Sequence, residues 1–385
     1  MKNLFTWVIL FILFSCSNNP KIITESSLEE LLIEKPKINY KLNSLPKDIN
    51  VIYFANSDIQ KTFPDEVKGL LTSYYSFTKT NTYFPSIRFF NLKDKNSCSL
   101  ILNGDSFNFI FLLKDQLESQ SYDLCLNKFI DQDALVISDF KKNKSIPKSA
   151  RKFLVSRDED KYELIKFMNS YSNNIMVIDN ETTKDRYEIG EIWIKEFDKK
   201  VAEYRTLNKT ESIQDIFSTL LLLDQSMKRK RKLSRIISKD LEHKSRTRQD
   251  IDTLILSVNT QEARSLKPAL DYSYFEGMEV FLINDWREDI QFLGSDQDLE
   301  NVISIDIPFM LPTTLPDELK NIDNKTRNFA IGYDAFEIVL LMKGARNYNK
   351  ISYKGLTGKI TFRDNDINRR SNIFKIQNGN YEYLN

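Results

Sequence analysis

Apolar residues along this chain fall in short dense runs, and these runs alternate with longer stretches of helical spacing. The clearest run lies in Thr247 to Asn259, where Ile251, Leu254, Ile255, Leu256 and Val258 predict a strand buried on both faces. Asn259 and Thr260 are good helix N-caps, and Glu262 brings a negative charge to the first turn, where the dipole favours it. A helix is expected as far as Lys267, because Pro268 lacks the N–H that the ladder needs. Glu279 to Asn284, reading EVFLIN, is the next strand. Strand, helix and strand at this spacing form one βαβ unit of a parallel sheet.

The same rhythm runs through the rest of the chain. Strands are expected at Asn50–Ala55, Phe107–Leu113, Asp133–Ser138, Lys152–Ser156 and Asn174–Asp179. Helices are expected at Val67–Phe77, Asp158–Tyr171, Asp185–Phe197 and, as a pair, Ser212–Leu241. Asn301–Leu311 opens as a strand, and Asn328–Ala345 reads as an apolar helix in which only Asp334 and Glu337 are acidic. The carboxy-terminal end reads as antiparallel: GKITF, the turn RDND, IFKIQ, Asn378-Gly379 and NYEYL. Asn-Gly between two alternating segments is a strong hairpin signal, since both turn residues need positive φ. Alternating strands and helices without an internal repeat predict an α/β fold, and two successive strand sets fit two lobes.

Composition removes several functions. With 385 residues the chain is long enough for two lobes, and its 55 basic and 54 acidic side chains nearly cancel. The 10 glycines are too scattered to build a phosphate-cradling loop. His243 is the only histidine, which removes most histidine-based catalysis and most transition-metal sites. No G-x-S-x-G occurs, and no carboxylate pair is singled out for glycosidase chemistry. No catalytic, cofactor-binding or metal-ligating residue is assigned.

Some residues invite a sharper reading. Lys228, Arg229, Lys230, Arg231 and Lys232 are consecutive, so on a helix they point all round its circumference. Without interleaved aromatics they do not indicate nucleic acid, and a solvated helix end or loop is favoured, with contact to an acidic partner surface kept open. Gly332 and Asp334 are expected to open a buried helix, the carboxylate serving the dipole and the glycine close packing. Asp250 and Asp252 bracket the entry to a buried strand, where binding to nearby turn amides is their commoner use. Asp364-Asn365-Asp366 begins like a calcium loop, but Arg369 and Lys375 stand where glycine and glutamate belong, so calcium is rejected. Ser138 and Ser145 follow a strand end, where a small-ligand receptor would grip its ligand, but Phe140, Lys141 and Lys142 between them are bulky or charged.

At the amino terminus Lys2 precedes an apolar run, Leu4 to Phe14, that is too short to span a bilayer and suits a signal-peptide core. Leu13-Phe14-Ser15-Cys16 is similar to the bacterial lipobox, which implies a signal peptide at 1–15 and lipid on Cys16. Ser17, where aspartate would resemble an inner-membrane retention signal, implies the outer membrane, periplasmic face. Residues 16–47, polar and carrying Pro20, Pro36 and Pro46, are expected to form a tether. Cys98 and Cys125 are compatible either with a disulfide or with two buried thiols.

Several segments stand in a fixed order: SRDED (Ser156–Asp160), NIMVIDNET from Asn174, the basic stretch running into RQDID, and EAR with KPAL. IDIPFML, GYDAF (Gly332–Phe336), GLTGKITF and Arg369-Arg370 complete the order. Read together, they resemble the carboxy-terminal domain of the penicillin-binding-protein activator lipoproteins, the LppC type, with Phe309 where tryptophan is usual. The resemblance implies a type I periplasmic-binding-like fold over 48–385. One lobe would hold about 48–169 and 303–350, the other about 172–300 and 352–385. It also implies a non-enzymatic outer-membrane lipoprotein, without cofactor, that binds and activates a bifunctional penicillin-binding protein in peptidoglycan synthesis. A receptor closing on a small molecule such as an amino acid is the alternative. The helical repeat domain of longer family members has only the short tether in its place.

Overall fold

The computed structural model describes residues 41–54, 63–91, 106–113, 130, 133–139, 150–180, 186–208, 211–243, 247–272, 278–283, 296–311, 315–316, 319–320, 322, 325–345, 351–363 and 366–384. Cys16, Cys98, Cys125, Ser145, and Asp364 with Asn365 lie outside the described residues.

The chain begins with β1 (Asp48–Tyr53), α1 (Asp65–Thr80), β2 (Ser86–Asn91), β3 (Ser106–Leu112), β4 (Ala134–Ser138), β5 (Arg151–Leu154) and α2 (Arg157–Asn169). There follow β6 (Asn174–Asn180), α3 (Arg186–Lys195), β7 (Lys200–Leu207), α4 (Ile213–Leu220), α5 (Leu223–Ile237), β8 (Thr253–Ser257), α6 (Thr260–Tyr272) and β9 (Glu279–Leu282). The last part holds β10 (Val302–Asp306), α7 (Arg327–Gly344), β11 (Ser352–Gly355), β12 (Gly358–Arg363), β13 (Asp366–Arg370), β14 (Asn372–Gln377) and β15 (Asn380–Leu384).

These elements make two mixed, mainly parallel sheets flanked by helices. One has the order β11-β12-β13-β5-β4-β3-β1-β2, the other β15-β14-β10-β9-β8-β6-β7. Two compact units divide the chain: residues 165–258 with 262–281, and 26–164 with 259–261 and 282–385. The expected strands at the centre are present, and β3, β4, β8 and β10 are buried at every position, as continuous apolar runs require. The Asn378-Gly379 turn has φ of 51° and 72°, and Gln377 faces Asn380 across it. Through β14, which pairs antiparallel with β10, this hairpin extends the second sheet.

Two expectations need correction. GKITF and IFKIQ are not partners: β12 pairs with β13 (DINRR) in the first sheet, while β14 belongs to the second. Arg363 faces Asp366 in this pairing, and β13 is a polar strand whose three charges hide it from a hydrophobicity reading. Likewise α6 runs past Lys267 through Pro268 to Tyr272. The missing ladder bond and ring clash cost about 3 kcal/mol. Leu266 and Leu270, buried on one face, contribute roughly 1.5–3 kcal/mol each, and Lys267 bonds Asp271 at 2.7 Å beyond the proline.

In the larger unit α1 packs against α7, and the aromatic core between them includes Phe77, Phe109 and Phe336. Gly69 and Gly332 set the distance between these helices. A Cβ at Gly69 would overlap the Phe329 carbonyl, and one at Gly332 would overlap the Glu66 carbonyl.

Candidate functional site

Most of the motifs read from the sequence meet in the larger unit, around the turn Leu356-Thr357. Asp334 accepts from the Leu356 N–H at 3.0 Å, the Thr357 N–H at 2.7 Å and the Thr357 hydroxyl at 2.6 Å. GYDAF therefore holds GLTG. On the other side of the turn the Phe309 N–H donates to the Leu356 carbonyl at 3.1 Å, which brings IDIPF to the same place. Phe309 is fully buried and stacks on Phe329 with ring centroids 5.5 Å apart.

Charge organises the rest of the cluster. Arg327 donates to both Asp306 oxygens at 2.6 and 2.7 Å, and the Ile307 N–H adds a third bond at 2.6 Å. Burial pushes the Asp306 carboxyl up to about 6 against the pull of Arg327 and Arg157. Burial and then the Arg327 charge draw Arg157 down to about 10. Arg369 donates to Asp160 at 2.7 Å, to the Ser156 and Val155 carbonyls at 3.2 and 3.3 Å, to the Thr357 carbonyl at 3.4 Å, and to the Ser371 hydroxyl. One guanidinium thus ties β13, the start of α2 and the GLTG turn. Its fixed fork of five donors suits that task where an ammonium would not.

Asp334 is not a dipole partner. Helix α7 begins at Arg327, capped by the Thr326 hydroxyl, so Asp334 lies two turns inside it and reaches out to the turn 356–357. Burial pushes its carboxyl up to about 7, while the Thr357 and Leu356 donors pull the other way. The folded protein therefore holds this proton at higher pH than the unfolded chain, whose group titrates near 3.8. Its stabilising contribution is complete below pH about 4 and is lost as the pH rises through about 7. The stability difference between wild type and Asp334→Asn should accordingly shrink between those pH values, by on the order of 2–4 kcal/mol. Urea unfolding of both proteins at each pH measures it, and a difference independent of pH would refute the assignment. Asp306 is present in both proteins and cancels.

In the smaller unit Asp252 binds turn amides, accepting from Asn173 and Asn174 N–H at 2.9 and 3.1 Å. Asp250 pairs with Arg248 through two bonds of 2.8 and 2.6 Å, which hold its carboxyl below the usual range. Glu262 accepts from the Asn180 side chain at 2.7 Å, joining EAR to the end of NIMVIDN. Ser138 is buried as the last residue of β4. Asp366 is exposed at the start of β13. Among the described residues no group of three or more His, Cys, Asp or Glu side chains is arranged to hold a metal ion.

Lys228 to Lys232 lie in the middle of α5, not at a helix end or in a loop. Four of the five are exposed, and the half-buried Lys230 pairs with Asp240 at 3.4 Å. Only Ser226 of the whole helix is buried. Leu222, with φ of 57°, separates α5 from α4, and Arg248 secures that junction by donating its N–H to the Leu221 carbonyl at 3.2 Å.

Two α/β sheets of this order, with helices on their faces and a terminal hairpin, define the periplasmic-binding class of fold. Among solved structures the chain is similar to a putative branched-chain amino acid ABC transporter protein from Rhodospirillum rubrum (TM-score 0.57, 11% identity, 88% of this chain and 99% of that one). It is also similar to the LpoA (YraM) C-domain from Haemophilus influenzae, described as a regulator of PBP1A (TM-score 0.56, 14% identity, 88% of this chain and 100% of that one). Full-length LpoA from Haemophilus influenzae gives a TM-score of 0.58 at 14% identity over 90% of this chain, which spans 60% of that protein. No curated protein sequence matches. Residues 189–379 match the family described as LppC putative lipoprotein.

Proposed function

We propose that this chain is a non-enzymatic, lipid-anchored regulator of a bifunctional penicillin-binding protein. Cys16 would carry the lipid, and the folded part would face the periplasm from the outer membrane. The supporting observation is that the LppC match falls on a fold covering the whole of a C-domain described as a regulator of PBP1A. The motifs of this chain also spend their charges on one another: Asp306 on Arg327, Asp160 on Arg369, Asp334 on the turn 356–357. Such a cluster makes a rigid body for docking, and a docked surface biases a synthase toward its active state by linkage alone.

The test mixes the purified protein with the synthase and follows glycan-strand and crosslink formation. Direct binding and a raised rate are expected. No complex at tens of micromolar and no change in either activity would refute the reading. The amino acid receptor alternative draws on the likeness to transporter proteins. It predicts a thermal shift with free amino acids that grows as RT ln(1 + [L]/Kd).

A further inference from the structure

Helix α5 turns one side to the protein and the other to solvent. At about 100° per residue, its buried Ser226 and half-buried Leu223, Lys230 and Ser234 fall on one side. Met227, Leu233 and Ile237 lie on or beside that side. It is held in place: the Ser226 hydroxyl and His243 Nε2 share a hydrogen bond of 3.3 Å, and Lys230 pairs with Asp240. The solvent side carries Lys228, Arg229, Arg231, Lys232 and Arg235, all exposed, together with Ile236, which is 69% exposed. Asp224, the one acidic residue of the helix, accepts from the Ser218 hydroxyl at 2.8 Å. Among the described residues none of the five outward cations has an ion-pair partner. This concentration stands in a chain whose total charge is only +1.

From Lys228 to Arg235 the helix rises roughly 10 Å, about one Debye length at physiological salt, so the five charges act as one field. Lys228 stands one turn from Arg231 and Lys232, and Arg235 one turn from the same two, so the face repels itself. A matching set of carboxylates relieves that repulsion, and the guanidinium forks of Arg229, Arg231 and Arg235 can each bind one through two bonds. Ile236 has Lys232 and Arg229 one and two turns behind it and Arg235 beside it. An aliphatic residue inside a charged rim is the arrangement of a protein interface, with an apolar centre and a polar border. A bilayer would need the apolar side of the helix, and that side faces the protein.

We propose that the solvent side of α5 docks on an acidic protein surface, with Ile236 seated in an apolar notch among its carboxylates. On the regulator reading, on which this rests, that surface belongs to the synthase. The two parts leave separate kinetic marks. The cations draw the partner in and set the association rate, while Ile236 holds it and sets the dissociation rate.

The full chain is held on a sensor surface, and binding of a purified bifunctional penicillin-binding protein is timed at about 50 and about 300 mM salt. Changing Lys228, Arg229, Arg231, Lys232 and Arg235 to glutamine keeps helix propensity. It is expected to slow association at the lower salt by about tenfold or more and to flatten the salt dependence. The pair Lys228→Gln and Lys232→Gln should act in the same direction with a smaller effect, and it serves if the larger variant loses resistance to urea. Ile236→Ala should leave association unchanged and speed dissociation about tenfold. Glutamine at the exposed Lys79, Lys166, Lys195, Lys354 and Lys359 removes the same charge elsewhere and should slow association less than about threefold. Wild-type binding that the α5 glutamine variants leave unchanged, or that the control slows equally, overturns the proposal and leaves the regulator reading standing. Unchanged dissociation for Ile236→Ala also overturns it. No wild-type binding overturns both. Vesicles with about 30% phosphatidylglycerol form a second arm. Loss of binding there alone would assign the face to lipid and overturn the proposal too.

Discussion

Gly332→Ala is expected to destabilise the protein by about 3 kcal/mol or more, although it adds one methyl group. The added carbon would overlap the Glu66 carbonyl of α1, which is backbone and cannot rotate away. The helices must separate, and the aromatic contacts between them open, including Phe77 on Phe336 at 6.1 Å. Gly69→Ala meets the same obstacle from the other side, against the Phe329 carbonyl. Because either change forces the same separation, the double variant should lose clearly less than the sum of the two single losses. Urea midpoints of the four proteins test this. A loss under about 0.5 kcal/mol for either single variant would show that the helices slide past the methyl at no cost.

Arg369→Met should cost about 3–5 kcal/mol. Arg369 is 4% exposed, and methionine would fill much of its volume while leaving Asp160 and the Thr357, Ser156 and Val155 carbonyls without this donor. Arg369→Lys keeps the charge but has three donors in place of five, so it should recover only part of the loss. Arg370 provides the control. It is 62% exposed on the side chain and lies 3.7 Å from Glu163, so Arg370→Met should stay within about 1 kcal/mol of wild type. Equal losses at 369 and 370 would mean that the network is not organised as described.

The inner strands were legible because both their faces are covered, which leaves uninterrupted apolar runs such as Phe107–Leu113 and Leu254–Leu256. The strands a pattern reading passes over are β2, β7, β11 and β13. The first three form sheet edges and β7 alternates in burial, while β13 carries Asp366, Arg369 and Arg370. Charges protect an edge strand from aggregation and erase its hydrophobic signature, and in β13, an inner strand, they erase it as well. Helix α6 was cut short for a related reason, since local rules weigh Pro268 without knowing that Leu270 is buried. Of the candidate residues, Asp252 was placed on turn amides by its position before a strand, as observed. Asp334 was misassigned because its partners lie 22 and 23 residues onward, across a tertiary contact no local spacing encodes.

The first sheet is assembled from both ends of the chain. Strands β1 to β5 come from its first half, β11 to β13 from its last tenth, and the helix that fits α1 arrives more than two hundred residues after it. A chain emerging from the ribosome therefore carries β1, α1 and β3 for most of its synthesis without the helix that packs on α1. The loop that must close is long, and contacts so distant in sequence slow folding. Residues as late as Arg369 are needed before the buried charges near Asp160 are matched. Until its last tenth is made, such a polypeptide lacks three strands of this sheet, and it is most exposed to proteases during that interval.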